Sequence, residues 1–255
     1  MLPYTESGSG EAVLLIHAGI ADRSMWDDHL GWLAQAGFHA VAVDLPGFGE
    51  APVDDGPQAP WEDVLGTLRD LGIERAALVG NSFGAAVALR VAAVAPAAVT
   101  AMALISPPAP GLEPSPQLKA VWDTEEAALE AGDVEAAVKA IVDGWTLPDA
   151  PEAIRQRVAT MQRRAFELQL AVPDAAEAPD PLEQHPEVLE RLDVRTLTAA
   201  GEHDMRDFIE GAQQLAQTLP DARYVTIGGA GHLAPLETPE AFEELLREFL
   251  GVARS

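Results

Sequence analysis

The stretch ERAALVGNSFGAAVALRVAAV, residues 74–94, decides the fold because a single short turn joins two kinds of structure in it. ERAALV is typical of a short buried strand, and AAVALRVAAV is typical of a helix with an apolar face. Gly80 and Gly84 flank Ser82, and we expect both to be needed where the strand and helix backbones come close. The turn would then hold Ser82 outward at the carboxyl edge of a sheet, where open parallel sheets bind ligands.

Short apolar runs on either side of this stretch predict further strands of the same sheet. They are continuous apolar runs rather than alternating patterns, and outside one interval they alternate with helical segments. This combination predicts an α/β fold with a mostly parallel central sheet flanked by helices. The predicted strands are residues 12–17, 39–45, 74–79, 100–105, 194–200 and 222–227.

Residues 106–190 differ from the rest, because they contain helical patterns punctuated by proline and no clear strand. We predict an all-helical insertion here, which divides the core domain into residues 1–105 and 191–255. Its large apolar side chains fit either packing within the insertion or a pocket for a substrate with an apolar part. These side chains are Trp122, Trp145, Met161 and Phe166.

The composition excludes several classes of partner. The formal net charge is -25, with 41 acidic and 16 basic residues among 255, so we do not expect nucleic-acid binding.

There are no cysteines, which excludes disulfides and thiolate metal sites. No histidine or acidic cluster has metal-ligand spacing, so we predict neither metal nor cofactor. No apolar run is long enough to span a membrane and no secretory signal is recognisable, which favours a cytoplasmic protein. The sequence leaves a homo-oligomer open.

A serine between two glycines at a strand–helix turn fits the G-x-S-x-G pattern of a nucleophile elbow. A serine hydroxyl needs a neighbouring base to act as a nucleophile. His232 is the leading candidate, because its Gly-rich loop GGAGHLAPLE follows a predicted strand. His203 also follows a strand, whereas His29 and His39 fit a helix surface and a strand start.

A base histidine needs an acidic partner that fixes its tautomer. Asp204 follows a predicted strand through the loop GEHD, and with Ser82 and His232 it gives the chain order Ser…Asp…His. Asp207 is the competing candidate, and Glu202 is a weaker one.

Acyl transfer also requires donors for the oxyanion that develops in the transition state. The backbone N–H of Phe83, directly after the nucleophile, is one candidate. The loop HAGI after the first predicted strand offers the other, because Gly19 lets that loop approach a substrate closely.

The whole chain resembles the α/β-hydrolase superfamily. The matching blocks are LLIHAG, DLPGFGE, LVGNSFGAAVAL, LTAAGEHD and IGGAGHLAPLETPEAFEELLREFL. The resemblance implies that Ser82 is the nucleophile, His232 the base and Asp204 the acid. It also implies that Gly19 and Phe83 supply oxyanion-hole amides and that residues 106–190 form a helical cap over the site.

A serine at position 82, rather than an aspartate, favours acyl chemistry through a covalent ester. We predict a serine hydrolase that acts on small carboxylic esters or related acyl compounds. A C–C bond hydrolase and an enol-lactonase are the alternatives, since GNSFG and DLPGFG also resemble that branch. The weaker alternatives are a cofactor-free haloperoxidase or lyase and a non-catalytic ligand-binding protein.

Overall fold

The computed structural model describes residues 1–53, 56–172 and 175–252, and its centre is one seven-stranded sheet. The strand order is β1-β3-β2-β4-β5-β6-β7. The strands are β1 Tyr4–Gly8, β2 Glu11–Ile16, β3 Phe38–Val43, β4 Ala76–Asn81, β5 Val99–Ile105, β6 Thr196–Gly201 and β7 Ala222–Ile227.

Helices cover the sheet and form the connections between its strands. The α-helices are α1 Asp27–Gln35, α2 Pro60–Asp70, α3 Phe83–Val94, α4 Pro116–Glu130, α5 Val134–Trp145, α6 Glu152–Gln169, α7 Pro181–Gln184, α8 Arg206–Thr218, α9 Ala234–Glu237 and α10 Pro239–Leu250. Short 3-10 helices lie at Arg23–Trp26, Pro96–Ala98 and Pro186–Arg191. Among the described helices, none is both long and apolar enough to cross a membrane.

The sheet is parallel except at one edge. Strands β2 to β7 pair in parallel, with Leu14 of β2 opposite Leu78 of β4, for example. The edge strand β1 pairs antiparallel with β3 and was not among the predicted strands. Its residues YTESG form no apolar run, because most of them are exposed or half-buried, so β1 owes its place to the ladder with β3.

Both faces of the sheet are buried, which explains the continuous apolar runs. Val13 and Leu15 of β2 belong to one buried cluster, and Leu14 and Ile16 belong to the other. Successive side chains of a strand point to opposite faces, so each face contributes to its own core under a layer of helices. The predicted mostly parallel sheet flanked by helices is confirmed.

The chain between β5 and β6 runs through the helices α4, α5, α6 and α7, and its described residues contain no strand. A single parallel bridge joins Gln58 of the core to Glu177 of this interval. The segment corresponds to the predicted insertion, of which residues 173–174 lie outside the described part of the chain. Residues 253–255 of the predicted core lie outside it as well.

Candidate active site

Ser82 lies at the turn between β4 and α3, at the carboxyl end of the sheet. Its backbone has φ 53° and ψ -114°, a conformation that non-glycine residues rarely adopt and that costs about 1–3 kcal/mol. The Ser82 N–H donates to the carbonyl of Ile105 at 2.8 Å, which ties the turn to the end of β5. Because the surrounding structure holds this strain, the hydroxyl is fixed at the sheet edge.

The two glycines of GNSFG are required by close backbone packing. A Cβ atom on Gly80 would overlap the carbonyl of Gly84, and one on Gly84 would overlap the carbonyl of Ile16 in β2. The expectation that glycine is needed where strand and helix backbones meet is confirmed at both positions.

His232 and Asp204 come together from loops that follow neighbouring strands. Asp204 follows β6 and His232 follows β7, and His232 Nδ1 lies 2.9 Å from Asp204 Oδ1. The same carboxylate oxygen accepts the Met205 N–H at 2.8 Å. Both side chains are almost completely buried, so the pair is shielded from water. In this arrangement the carboxylate favours a proton on Nδ1 and leaves Nε2 free to accept one.

The competing acids have other partners. Asp207 accepts the N–H of Ser115 at 2.6 Å and its hydroxyl at 2.7 Å, which holds the start of α4. Burial raises the pKa of Asp207 and these hydrogen bonds lower it, and the net result is a pKa below its ordinary value. Glu202 accepts the N–H of Gly229 at 3.0 Å. Of the three acids, Asp204 is therefore the one that bonds His232.

The prediction that His29 lies on a helix surface is wrong. Its side chain is buried in the core, where Nε2 bonds the carbonyl of Pro235 at 2.9 Å and Nδ1 accepts the Trp32 indole N–H at 3.2 Å. Burial lowers the pKa of His29, so the ring is held neutral. His203, the other late candidate, is exposed and approaches Glu202.

Two residues that the sequence patterns did not single out hold the His232 loop. Asn81, next to Ser82, donates from Nδ2 to the carbonyl of His232 at 3.1 Å and to that of Ile105 at 3.3 Å. It therefore links the elbow directly to the histidine loop. The position of Asn81 inside the G-x-S-x-G pattern was the sequence signal for this residue. The pattern does not predict that its side chain bonds the carbonyls of His232 and Ile105.

Glu237 acts on the same loop from the other side. Its Oε2 accepts the N–H groups of Gly231 at 2.9 Å and Leu233 at 3.3 Å, one residue before and one after His232. Its Oε1 accepts the N–H of Leu147 at 2.8 Å, in the helical segment between β5 and β6. Burial raises the pKa of Glu237, although the three N–H donors act in the opposite direction.

Aromatic rings surround the imidazole of His232. The ring centroid of Phe208 on α8 lies 4.3 Å from that of His232, and the centroid of Trp145 on α5 lies 4.6 Å from it. Trp145 and Phe208 also contact each other, with centroids 5.6 Å apart. The ring cluster leaves the imidazole little freedom to rotate.

A buried histidine ties the loop HAGI to the turn after β3. His17 Nδ1 bonds the carbonyl of Ala18 at 2.8 Å, and Nε2 accepts the Leu45 N–H at 2.9 Å. Burial lowers the pKa of His17, which keeps the ring neutral. A Cβ atom on Gly19 would lie 3.3 Å from the Cβ of Phe83. The loop and the residue after Ser82 therefore lie side by side.

The DLPGFGE motif closes on a buried carboxylate. Asp44 accepts the N–H of Glu50 at 2.9 Å and the N–H of Arg23 at 2.8 Å, and it also binds the Arg23 guanidinium. Gly49 has φ 55°, and a Cβ atom there would overlap the Asp44 carboxylate. This network fixes the turn that carries Phe48, a side chain of the cavity described next.

Ser82 and His232 line one cavity of about 680 Å³, and Gly19 and Phe83 line it as well. Its apolar wall includes Ile20, Phe48, Trp61, Val87 and Ile141. From the helical segment, Trp122, Trp145 and Gln162 also face it, whereas Met161 and Phe166 are buried in the core. Within the described residues, no group of three or more histidines or acids could hold a metal ion.

A parallel sheet with a strained serine at the β4–α3 turn, and loops that bring a histidine and an aspartate together, defines the α/β-hydrolase fold. A model of the Alpha/beta hydrolase family matches residues 13–245, so the chain belongs to this family and is a hydrolase.

Relatives of known activity agree with this assignment. A 2-hydroxy-6-oxo-6-phenylhexa-2,4-dienoate hydrolase of Comamonas testosteroni is 26% identical, with 98% of this chain and 91% of that protein covered. An esterase structure from Thermogutta terrifontis is 26% identical with a TM-score of 0.82, covering 98% of this chain and 93% of that one. An enol-lactonase structure from Burkholderia xenovorans LB400 is 24% identical with a TM-score of 0.80, covering 98% and 96%, and shares the fold.

Proposed function

We propose that the protein hydrolyses small carboxylic esters through an acyl-enzyme intermediate, with Ser82 as nucleophile, His232 as base and Asp204 as the acid that orients it. One observation carries the proposal: His232, whose Nδ1 lies 2.9 Å from Oδ1 of the buried Asp204, lines the same cavity as the strained Ser82. The similarity to the Thermogutta terrifontis esterase supports the choice of substrate class.

The reaction follows from the proposed roles. Ser82 Oγ attacks the ester carbonyl carbon while its proton passes to His232 Nε2. The tetrahedral oxyanion collapses, the C–O bond to the alcohol breaks, and the alcohol oxygen takes the proton from His232. Water then attacks the acyl-enzyme with His232 again as base. This second step releases the carboxylic acid and restores the Ser82 hydroxyl.

The backbone N–H groups of Gly19 and Phe83 are the proposed oxyanion donors. Phe83 is the first residue of α3, so its N–H has no acceptor within the helix and lies at the positive end of the helix dipole. Gly19 lies beside Phe83, and both line the cavity. Two donors on the developing charge are a large source of rate enhancement in acyl transfer.

The helical insertion, residues 106–190, is the proposed cap. Trp122, Ile141, Trp145 and Gln162 line the cavity from helices of this segment. The apolar lining supports a small-molecule substrate with an apolar part. The lack of cysteines fits the cytoplasmic location that we propose for the enzyme.

Labelling by a fluorophosphonate probe tests the nucleophile. We expect the wild-type protein to be labelled and to hydrolyse p-nitrophenyl esters, and Ser82→Ala to lose both properties while keeping its circular dichroism spectrum. Ser9→Ala, an exposed position outside the cavity, is the matched control and should behave as wild type. Labelling of Ser82→Ala at the wild-type level would remove Ser82 from the mechanism.

C–C bond hydrolysis is the second candidate. The Comamonas testosteroni relative is named for a dienoate substrate, and other similar proteins are named 2-hydroxy-6-oxononadienedioate/2-hydroxy-6-oxononatrienedioate hydrolases. A synthetic vinylogous diketone separates the two functions, since its cleavage changes the absorbance of the conjugated system. A kcat/KM for the diketone far above that for every ester would make C–C hydrolysis the primary function.

A further inference from the structure

The cavity contains an acid without a protein partner. Glu125 on α4 lines the cavity and is half-buried. Among the described residues, none forms a hydrogen bond or ion pair with its carboxylate. Burial raises the pKa of Glu125. A half-buried carboxylate is unfavourable unless a donor or a cation meets it, and the open side of Glu125 is the cavity.

An exposed aromatic ring accompanies this acid. Trp122 precedes Glu125 by three residues on α4, so the two side chains lie next to each other on one face of the helix. Trp122 also lines the cavity and is 44% exposed, which is unusual for such a large apolar side chain. A carboxylate beside an indole ring is a favourable environment for a positively charged nitrogen, through ion pairing and cation–π attraction.

The cavity is poorly suited to an anion. Arg90 is the one Lys or Arg among the described residues that line it, and each of its three guanidinium nitrogens already donates to an acceptor of the protein. Nε donates to Asp180 Oδ2 at 3.0 Å, Nη2 binds the same oxygen, and Nη1 donates to the carbonyl of Ala86 at 3.0 Å. Glu177 adds a further acid to the lining. With a chain net charge of -25, the long-range field also repels anions.

A second, independent observation indicates that the cavity binds a polar group. The side chain of Gln162 on α6 lines the cavity and is only 3% exposed, yet its Oε1 has no hydrogen-bond partner among the described residues. A buried amide oxygen that accepts no hydrogen bond is costly, and such groups are rare in native structures. A hydrogen-bonding group of the substrate would provide the missing partner.

We infer that the substrate carries a positively charged nitrogen remote from the reacting carbonyl, held by Glu125 and Trp122, while Gln162 Oε1 accepts a hydrogen bond from a neutral donor of the same molecule. A carboxylate in that position is disfavoured, because it would meet the Glu125 carboxylate and the Arg90 guanidinium is already paired with Asp180. The inference rests on the proposed ester hydrolysis and specifies its substrate class.

A series of p-nitrophenyl esters with acyl chains of one length tests the charge preference. The chains end in a methyl, a hydroxyl, a trimethylammonium or a carboxylate group. We expect kcat/KM for the trimethylammonium ester to exceed that for the carboxylate ester by at least about tenfold, with the methyl ester between them. Glu125→Gln should abolish the advantage of the trimethylammonium ester over the methyl ester. Glu126→Gln, its exposed neighbour on the same helix, is the matched control and should retain it.

A binding measurement separates the recognition from the chemistry. Ser82→Ala protein is titrated by calorimetry with amide analogues of the same four compounds, and the trimethylammonium analogue should bind about tenfold tighter than the carboxylate one. Gln162→Leu in the same background should weaken binding of the amides, whose N–H can donate to Gln162 Oε1. If the binding preference is present but no ester is cleaved, the proposed function is wrong and the recognition stands. If esters are cleaved with equal kcat/KM across the series, the inference is overturned.

Discussion

The indole ring of Trp145 contacts the imidazole of His232, with ring centroids 4.6 Å apart, although the two residues are far apart in the sequence. Trp145 ends α5 in the helical segment, whereas His232 lies in the loop after β7. The segment that shapes the cavity therefore also touches the residue that we propose as the base. Changes in this segment should alter the chemistry as well as the substrate preference.

We expect Trp145→Ala to lower kcat/KM for p-nitrophenyl esters by about tenfold or more, because the imidazole loses one of the rings that fix its orientation. The variant should also shift the preference across acyl lengths, since the cavity becomes larger beside the histidine. Trp122→Ala, which lines the cavity away from any described ring contact with His232, should change the preference with a smaller effect on kcat. An unchanged acyl-length profile in either variant would contradict a substrate-contacting role for that residue.

Asp204→Asn should lower kcat by about 10³–10⁴-fold, because the amide no longer stabilises the protonated imidazole or fixes its tautomer. Asp207→Asn is the matched control, since this acid bonds Ser115 at the start of α4. It should leave kcat within a few-fold of wild type. Steady-state kinetics on one ester with both variants decides between the two acids, and a larger loss for Asp207→Asn would reverse the assignment.

Asn81→Ala should both destabilise the protein and slow it. The substitution removes the side-chain donor of the buried His232 carbonyl, which costs about 1–3 kcal/mol, whereas the Ile105 carbonyl keeps the Ser82 N–H. Urea unfolding measures this loss of stability. Steady-state kinetics should show a lower kcat, because the histidine loop is no longer tied to the elbow. Gln156→Ala, at an exposed position on α6, should change neither property. A variant as stable as wild type would show that the two bonds contribute little.

Stability should fall as the pH drops below about 6.5. Burial lowers the pKa values of His17 and His29 from 6.5 in the folded protein, while the unfolded chain keeps ordinary values. Below pH 6.5 the unfolded state therefore binds more protons than the native state, so the free energy of unfolding decreases. Well above pH 6.5 both forms are neutral and the two residues contribute no pH dependence.

The contribution of His29 is measured by comparing variants at two pH values. The loss of urea stability between about pH 7.5 and about pH 5, values that bracket the ordinary histidine pKa of 6.5, should be smaller in His29→Gln than in wild type. His185→Gln, whose side chain is exposed, should show the wild-type loss. Equal losses in all three proteins would contradict a depressed pKa for His29.

The parallel part of the fold could be predicted from the sequence because its strands are buried on both faces. Leu14, Ile16 and Leu78 belong to continuous apolar runs, which are typical of strands covered by helices on both sides. Strand β1 could not be predicted in the same way, since Glu6 and Ser7 of YTESG carry no apolar signal. Its position depends on pairing with β3, which is a tertiary contact.

The candidate site also contains residues that the sequence predicts and residues that it does not. Ser82, Asp204 and His232 stand out because each follows a strand in a short loop, and strand ends of a parallel sheet share one edge. Gln162 gives no such signal, because a glutamine in a polar helix resembles a surface residue. Only the packing of α6 over the cavity buries it. The prediction for His29 is wrong for the same reason, since its partner Pro235 lies on a distant element whose contact with α1 the sequence does not specify.

The carboxylate of Glu237 joins the main-chain N–H of Leu147 to those of Gly231 and Leu233. Because every donor in this junction is a main-chain group, the hydrogen bond at position 147 does not depend on the side chain there, and proline alone would remove the donor. Chimeras that exchange the helical segment for one from another hydrolase would therefore need only a correctly placed amide at this junction. Such grafts offer a route to new substrate ranges on an unchanged histidine loop.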